Sequence, residues 1–284
     1  MPEGHVLHHL TREHQRRLGG QRVRTSSPQG RFTEGADALD GQVLVRAEAK
    51  GKHAFYRFGA TPSCADGPIL HVHLGLYGRF RSHKAPPPEP RGAVRLRLVG
   101  DDHAWDLIGP AQCALLSPAA AQAKLDSLGE DPLRDDANPA RVLQILCKTR
   151  RTLGAVLLDQ SVIAGVGNVY RSELAFLAGV SPSARSCDLS ADTHAALWAN
   201  SVTLLRIGTR HNAIRVVGEE GVIGPVGGEA VDSAARTQSS GARRDRLWVY
   251  KCRACRVCGT PIVSAQIAAR TAYLCPTCQP GPAT

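Results

Sequence analysis

The chain has no long apolar run that could cross a membrane: no stretch reaches the roughly eighteen apolar residues expected of a transmembrane helix. The first residues also lack the basic segment followed by an apolar segment that is typical of a secretory signal peptide. We therefore expect a cytoplasmic or nucleoid protein with no membrane partner. With 284 residues, of which 43% are hydrophobic, the chain can form two or three domains with buried cores.

Acidic residues are in deficit. The chain has 25 Asp and Glu residues against 35 Lys and Arg residues, which gives a formal net charge of +10. A surplus of this size favours a polyanionic partner, and nucleic acid is preferred over a membrane surface because no basic amphipathic anchor is evident. Many ribosomal and metabolic proteins are also basic, so charge alone defines no function.

The cysteine pattern does not indicate a disulfide framework. The count of nine is odd, and Cys64, Cys113, Cys147 and Cys187 are scattered through the chain. The other five lie close to the C-terminus, which is typical of metal ligands in a reducing compartment.

Two of the C-terminal pairs have zinc-site spacing. Two residues separate Cys255 from Cys258, two separate Cys275 from Cys278, and residues 259–274 lie between the pairs. Four thiolates complete a tetrahedron, so we predict one structural Zn²⁺ per chain with no open position for water. Two residues also separate Cys252 from Cys255, and a ligand set that contains Cys252 remains an alternative. A zinc ribbon that only folds the tail or mediates protein contacts is a further alternative.

The N-terminus has candidate catalytic residues. Removal of Met1 would leave Pro2 with a free secondary amine, and α-amines titrate at about pH 8. Such an amine can attack a sugar carbon and form an iminium, as lysine does in Schiff-base enzymes. Glu3 is the nearest acid that could protonate the sugar or the leaving group. The alternative is an ordinary N-terminus that leads into a helix.

The residue patterns predict an α+β chain of several domains. The predicted elements, in order, are an amphipathic helix over 3–18, short strands of an antiparallel sandwich or barrel over 21–116, helices over 118–214, a Gly-rich loop over 216–242 and a zinc-binding β-hairpin after it. We place the domains at 1–118, 119–242 and 243–284. The helix contains His8, His9 and His14, which we interpret as residues of a solvated or nucleic-acid-facing helix rather than as metal ligands.

Two turns are candidates for phosphate binding. Gly165 and Gly167 precede Asn168, which we expect to be the N-cap of a helix that starts near Val169. Free N–H groups at a helix N-terminus bind anions, and Arg171 could add positive charge, although a simple helical hairpin would give the same pattern. The second turn contains Lys52, whose positive charge could contact a phosphate. Taken alone, the motif is equally typical of an ordinary surface turn, which is the preferred interpretation.

Five motifs in order resemble one family. The motifs are "PEGH" at the start, "GKHAF" near residue 52, "HLGLYG" from residue 73, "LLDQSVIAGVGNVYRSE" in the middle and "CRVCGTPI…ARTAYLCPTCQ" at the end. Together they resemble the formamidopyrimidine-DNA glycosylase/endonuclease VIII family of bifunctional base-excision enzymes. The start is similar to the actinobacterial endonuclease VIII-like branch, because "PEGH" replaces the "PELPE" of typical formamidopyrimidine glycosylases.

The resemblance implies a fold and a role for each matched residue. The implied fold is an N-terminal antiparallel β-sandwich with an N-terminal helix, a helical domain with a helix–two-turns–helix, and a C-terminal zinc-finger β-hairpin. Pro2 would be the nucleophile and Glu3 the acid/base that opens the sugar ring. Lys52 and Arg270 would act with them by gripping phosphates on either side of the lesion, and Asn168 would hold the DNA backbone.

Leu76 and Tyr77, in "HLGLYG", match the loop that fills the gap left by an extruded base. The implied function is a DNA glycosylase and AP lyase that nicks damaged DNA by β,δ-elimination as a monomer, with oxidised pyrimidines favoured. A non-catalytic damage sensor and a purine-type formamidopyrimidine-DNA glycosylase remain alternatives.

Three departures from the family pattern concern specificity. Ile108 stands where relatives often have arginine, which leaves recognition of the opposite base open. Ala269 precedes Arg270 where glycine is usual, so we expect a somewhat different hairpin turn. Residues 216–242 do not match a lesion-capping loop well enough to assign one.

Overall fold

A computed structural model describes residues 2–219, 221–222 and 246–281. Contacts between residues divide the chain into two compact units, Met1–Ser127 and Leu128–Thr284. Most of the Gly-rich segment predicted over 216–242 lies outside the described residues. Among the helices that the structure describes, none has the length and apolar composition needed to cross a membrane.

The elements follow the predicted order, strands first and helices after them. The helices are α1 (Gly4–Leu18), α2 (Thr33–Leu39), α3 (Pro118–Asp126), α4 (Pro139–Lys148), α5 (Leu153–Leu158), α6 (Asn168–Leu177) and α7 (Ala191–His211). The strands are β1 (Arg24–Ser26), β2 (Val43–Lys50), β3 (His53–Gly59), β4 (Ile69–His73), β5 (Arg79–Lys84), β6 (Val94–Val99), β7 (His103–Ile108), β8 (Gln112–Leu116), β9 (Val263–Ile267) and β10 (Arg270–Leu274).

The first unit is an antiparallel β-sandwich. Its sheets have the strand orders β1-β6-β7-β5 and β2-β3-β4-β8. Alternate residues of β3, including Tyr56 and Phe58, enter a core that also contains Leu98 and Leu107 from the other sheet. Phe55, between them in sequence, instead packs with residues of α3. The predicted sandwich is confirmed.

Helix α1 is the predicted N-terminal helix, but its histidines do not all face solvent. His14 is completely buried, and its Nδ1 lies 2.8 Å from the hydroxyl oxygen of Tyr56. His8 is also buried. The prediction of a solvated or nucleic-acid-facing position is therefore wrong for these two residues, because the helix packs its histidine-bearing face on the sheet.

Helix α1 runs along β2 in the opposite direction. The side chain of Gln15 accepts a hydrogen bond from the Ala47 N–H at 2.6 Å, and the Gly20 N–H donates to the carbonyl oxygen of Leu44 at 2.8 Å. From Gln15 back to Glu3 the helix rises about 18 Å, and β2 covers a similar length in about five residues. The helix start therefore lies toward the end of β2, where the chain turns into β3.

The second unit has a helical core closed by a small hairpin. Large buried residues from α4, α5, α6 and α7 form one cluster, which includes Leu146, Leu157, Tyr170 and Leu204. Strands β9 and β10 pair antiparallel with Ile267 opposite Arg270, and β10 packs on α6. The predicted helical region and C-terminal hairpin are both present.

Candidate nucleic-acid and catalytic site

One edge of a sheet brings two predicted site segments of the first unit, the Lys52 turn and the Leu76–Tyr77 loop, close together. Lys50 pairs with His53 across the β2–β3 turn, His53 pairs with His73, and His73 pairs with Gln112. The turn that contains Lys52, the loop that follows β4 and the segment before β8 therefore leave the sheet at the same edge. Strand register alone produces this arrangement.

Lys52 occupies the second position of a two-residue turn between β2 and β3. Gly51 has a φ of 58°, in the left-handed region that glycine enters without a Cβ penalty. Gly51 is buried, whereas Lys52 is half-buried. The turn fixes the backbone of Lys52 and directs a long cationic side chain from the sheet edge.

Pro2 and Glu3 precede α1 directly. Glu3 has an extended backbone, with φ of −120° and ψ of −177°, and its residue is completely buried. Pro2 is half-buried. A carboxylate at this position also benefits from the positive end of the helix dipole. Because α1 runs antiparallel to β2, Pro2 and Glu3 lie toward the sheet edge that contains Lys52.

Three histidines form a group near the same edge, and no motif in the sequence indicates that they lie together. His53 Nδ1 lies 2.9 Å from His71 Nε2, and the ring centroids of His53 and His73 are 4.7 Å apart. Burial lowers the pKa of His53 to about 3 and that of His71 to about 4, and it also lowers the pKa of His73. The rings are therefore neutral at pH 7, and the positive charge of Lys52 contributes to this effect on His53 and His73.

The loop after β4 presents two apolar side chains to solvent. Leu76 is 48% exposed and Tyr77 is 83% exposed. Gly75 has a φ of 68°, and a Cβ on Gly78 would lie 2.2 Å from the carbonyl oxygen of Leu74. The two glycines thus permit a tight turn that leaves Leu76 and Tyr77 with little cover.

Ile108 does not project from this edge. It ends β7, pairs with Arg79 on one side and Val94 on the other, and is buried. Burial in the sandwich therefore explains why residue 108 is apolar. The position of Ile108 gives no basis for recognition of an opposite base.

In the second unit, Asn168 is not the helix cap that the sequence predicted. Gly167 is the N-cap, and α6 begins at Asn168 itself. The Asn168 amide nitrogen donates to the carbonyl oxygen of Thr271 at 2.9 Å, and its amide oxygen accepts from Arg171 at 2.5 Å. The side chain does not cap the helix, because it bonds to β10 and to the Arg171 side chain rather than to a backbone N–H of the first helical turn.

Arg171 is likewise a residue of the interior. Its guanidinium is completely buried and donates to the carbonyl oxygens of Ile267 at 3.0 Å and Arg270 at 3.4 Å, in addition to Asn168. The expectation that Arg171 adds charge to an open phosphate cradle is therefore wrong. One backbone N–H of the predicted cradle is also already used, because the Gly165 N–H donates to the side-chain oxygen of Gln160 at 3.0 Å.

The turn between β9 and β10 consists of two alanines. Ala268 and Ala269 have φ values of 51° and 57°, both in the left-handed region that disfavours residues with a Cβ. The two-residue connection places Arg270, an exposed residue, immediately after the turn. Hydrogen bonds from α6 to the carbonyls on both sides of the turn hold this conformation.

Four cysteines form a cluster that fits one metal ion. Sulfur atoms of Cys255, Cys258, Cys275 and Cys278 all lie within 4.8 Å of one another. Sulfur–sulfur distances of 3.4 to 3.8 Å in the cluster are close to the roughly 3.8 Å edge of a tetrahedron with zinc–sulfur bonds of about 2.3 Å. Cys252 is outside the cluster, and its thiol points to the carbonyl oxygen of Leu247 at 3.6 Å.

A buried carboxylate holds the segment that enters this cluster. Glu173 of α6 accepts hydrogen bonds from the backbone N–H groups of Trp248, Val249 and Tyr250 at 2.7, 3.1 and 2.9 Å. Burial raises the pKa of Glu173 even though these bonds act in the opposite direction. Arg171 and Glu173, two residues apart on α6, thus fix both the hairpin turn and the chain before the metal cluster.

Comparisons with known proteins identify the class to which this fold and site belong. Residues 1–107 match the formamidopyrimidine-DNA glycosylase N-terminal domain, residues 128–217 match the formamidopyrimidine-DNA glycosylase H2TH domain, and residues 254–281 match the zinc finger found in FPG and IleRS. The chain belongs to the formamidopyrimidine-DNA glycosylase/endonuclease 8 family of DNA glycosylases.

Individual relatives refine this result. Endonuclease 8 1 of Mycobacterium tuberculosis is 43% identical over 286 residues, which cover 98% of this chain and 100% of the relative. Formamidopyrimidine-DNA glycosylase of Geobacillus kaustophilus is 34% identical over 252 residues, which cover 86% of this chain and 84% of the relative. The predicted family and fold class are confirmed.

Solved structures show the same fold. Lactococcus lactis Fpg, in a complex with DNA that contains N7-benzyl-Fapy-dG, superposes with a TM-score of 0.77 at 20% identity, over 98% of this chain and 100% of that chain.

Proposed function

We propose that this protein is a bifunctional DNA glycosylase and AP lyase that acts through the amine of Pro2. The observation that carries the proposal is the position of Pro2 and the buried Glu3 directly before α1, whose first residues lie toward the sheet edge that contains Lys52. The membership of the chain in a DNA glycosylase family supports the substrate class. The active form begins at Pro2, after removal of Met1.

The chemistry starts with attack by the Pro2 nitrogen on C1′ of a damaged nucleotide. The N–C1′ bond forms as the glycosidic bond breaks, and the base leaves with the bonding electrons and takes up the proton that the Pro2 nitrogen loses. Protonation of O4′ by Glu3 opens the sugar ring, and the nitrogen lone pair forms an iminium with C1′. Loss of a C2′ proton then expels the 3′ phosphate, and a second elimination expels the 5′ phosphate.

Lys52, Asn168 and Arg270 position the DNA backbone. Lysine and arginine are suited to phosphate oxygens, and such contacts set register rather than sequence preference. An amide nitrogen has two hydrogens, so the Asn168 bond to Thr271 leaves one for a phosphate. The hydrogen bonds of Arg171 to the carbonyl oxygens of Ile267 and Arg270 fix the backbone of the hairpin turn, which supports the same role for Arg270.

Leu76 and Tyr77 fill the space that an extruded nucleotide leaves. The catalytic amine can reach C1′ only when the nucleotide has left the stack, and extrusion costs a few kcal/mol of stacking and pairing. Exposed apolar side chains on a tight turn can enter the stack and offset that cost.

The metal is zinc, and its role is structural. Cys255, Cys258, Cys275 and Cys278 would hold the ion, which supplies a fixed link between the two cysteine pairs on either side of the hairpin. Four sulfur donors complete the coordination, so the ion takes no part in the reaction at the sugar.

Oxidised pyrimidines are the proposed preferred lesions, and damaged DNA is the partner of a monomeric enzyme. The support is that an endonuclease 8 relative is 43% identical, whereas the formamidopyrimidine-DNA glycosylase of Geobacillus kaustophilus is 34% identical. A nicking assay on matched duplexes with oxidised pyrimidines or oxidised purines tests this point. A preference for purine lesions would assign the protein to the purine-type activity.

Borohydride trapping tests the catalytic proposal. The full-length protein, with its mature N-terminus checked by mass spectrometry, should give a covalent adduct with abasic-site DNA. Pro2→Gly should reduce the yield strongly, and Glu3→Gln should prevent nicking while DNA binding persists. A wild-type protein that binds but traps no adduct would instead be a non-catalytic damage sensor. Glu34→Gln, at an exposed position of α2, is a matched control for the loss of one negative charge.

A further inference from the structure

A thiol and an imidazole form a close pair in the second unit, on residues that the proposed reaction does not use. Cys147 lies in the last turn of α4, and His194 lies in the first turns of α7. The Cys147 Sγ atom is 3.3 Å from His194 Nδ1. Cys147 is exposed, whereas His194 is completely buried.

The other ring nitrogen fixes which tautomer His194 adopts. His194 Nε2 lies 3.0 Å from the carbonyl oxygen of Ser186, and a carbonyl oxygen can only accept a hydrogen bond. Nε2 therefore carries the hydrogen, and in the neutral ring Nδ1 presents its lone pair to the Cys147 thiol.

Ser186 is itself held in place. Its hydroxyl donates to the carbonyl oxygen of Leu146 at 2.8 Å, and its N–H donates to the carbonyl oxygen of Arg151 at 2.9 Å. A nucleophile, a base within hydrogen-bond reach and a third group that orients the base constitute the arrangement of an activated nucleophile.

Two other thiols near the surface have the opposite environment. A hydrogen bond to Asp66 raises the pKa of the Cys64 thiol. Partial burial and the neighbouring Asp188, whose carboxylate oxygen is 3.4 Å from the sulfur, raise the pKa of the Cys187 thiol. A carboxylate opposes formation of a thiolate, whereas an imidazole accepts the proton, so reaction at Cys147 is favoured over reaction at these two thiols.

We propose that Cys147, activated by His194, is a reactive cysteine and a site of covalent modification by hydroperoxides and soft electrophiles. The Cys147 proton moves to His194 Nδ1, and the thiolate attacks one oxygen of a hydroperoxide. The S–O bond forms as the O–O bond breaks, and the departing hydroxide or alkoxide takes the proton back from His194. The cysteine is oxidised to a sulfenic acid, and the hydroperoxide is reduced to water or an alcohol.

Alkylation of the zinc-loaded, full-length protein tests the proposal. Limiting iodoacetamide at fixed pH, followed by peptide mass spectrometry, gives a rate for each cysteine, and each rate is divided by that of the same cysteine in denaturant. Cys147 should react at least about tenfold faster than Cys64 and Cys187. His194→Gln should lower the Cys147 rate about tenfold or more, because glutamine can bond to Ser186 but is not a base.

Treatment with one equivalent of hydrogen peroxide provides a second readout. Free thiol should be lost first at Cys147, whether the product is a sulfenic acid or a disulfide that forms from it, and Cys147→Ser should remove the fast phase. Equal normalised rates at Cys147, Cys64 and Cys187 would overturn the proposal, as would a folded His194→Gln variant that reacts as fast as wild type. If that variant does not fold, the ranking within the wild-type protein decides.

Discussion

The two units position their candidate DNA-binding residues in different ways. In the first unit, strand register and short turns bring Lys52 and the Leu76–Tyr77 loop to one sheet edge. In the second unit, the buried side chains of Arg171 and Glu173 bond to backbone groups of distant segments. The first arrangement depends on backbone pairing, which tolerates many side chains. The second depends on individual buried polar residues, and a single substitution should disturb it.

Removal of the metal should give the largest effect and separate the two units. Structural zinc contributes on the order of 10 kcal/mol to the folding of small zinc modules, whereas the first unit has no comparable cysteine cluster among its described residues. Chelation should therefore abolish hydrogen-exchange protection in β9 and β10 and leave that of β2 and β3 unchanged. Loss of protection in both units at once would show that the first unit also depends on the metal.

Arg171→Met should be nearly as disruptive within the second unit. The substitution leaves the carbonyls of Ile267 and Arg270 and the amide oxygen of Asn168 without their donor, at a cost of about 2–4 kcal/mol. The free energy of unfolding, measured with denaturant, and the affinity for DNA should both decrease. Arg206→Met, at an exposed position of α7, removes the same charge and should leave stability within about 0.5 kcal/mol of wild type.

Acid should weaken the first unit through His14. Burial lowers the pKa of His14 to about 3, against 6.5 in the unfolded chain, so the unfolded state binds more protons between these values. Stability is therefore highest above pH 6.5 and falls as the pH decreases, by about 2 kcal/mol at pH 5 for this group.

Denaturant unfolding at pH 7 and pH 5 measures that loss. His14→Gln retains a partner for Tyr56 but does not titrate, so its own decrease in stability should be about 2 kcal/mol smaller than that of wild type. An equal decrease in both proteins would show that His14 is protonated in the folded state.

Ala269→Gly should give the smallest effect, and it should be stabilising. Ala269 has a φ of 57°, and glycine removes a left-handed penalty of about 1 kcal/mol, although it also adds entropy to the unfolded chain. Ala265→Gly, in the paired part of β9, should instead destabilise the hairpin. Thermal unfolding measures the stability of both variants relative to wild type. A destabilised Ala269→Gly protein would mean that the alanine turn is under no strain.

Patterns with a short range in sequence predicted most of the fold. Alternation over 21–116 indicated the sandwich, because residues of one strand face that enter the core recur at every second position. Cysteine spacing predicted the cluster and left only Cys252 open, which the geometry excludes from it. The turn of Lys52 and the place of Arg270 directly after the hairpin turn were also predictable.

Residues that bond over long sequence separations are not predictable from local patterns. Asn168 was expected to cap its own helix, but its amide bonds to Thr271, more than one hundred residues later. His14 and Arg171 were expected at the surface because polar side chains are usually exposed, yet each is buried. A polar residue in a helix can be predicted to be buried only when its hydrogen-bond partner is known.

Local sequence patterns are sufficient for the family, the order of strands and helices, and the four-cysteine cluster, because motifs, residue alternation and CxxC spacing are local properties of the chain. Tertiary structure decided which polar residues serve the interior. Arg171, Glu173 and His194 look like ordinary helical residues in sequence, and only the packed chain shows that they hold a hairpin turn, a backbone segment and a thiol. The physical reason is that a buried polar group must find its partner wherever folding places it, and sequence distance does not limit that choice.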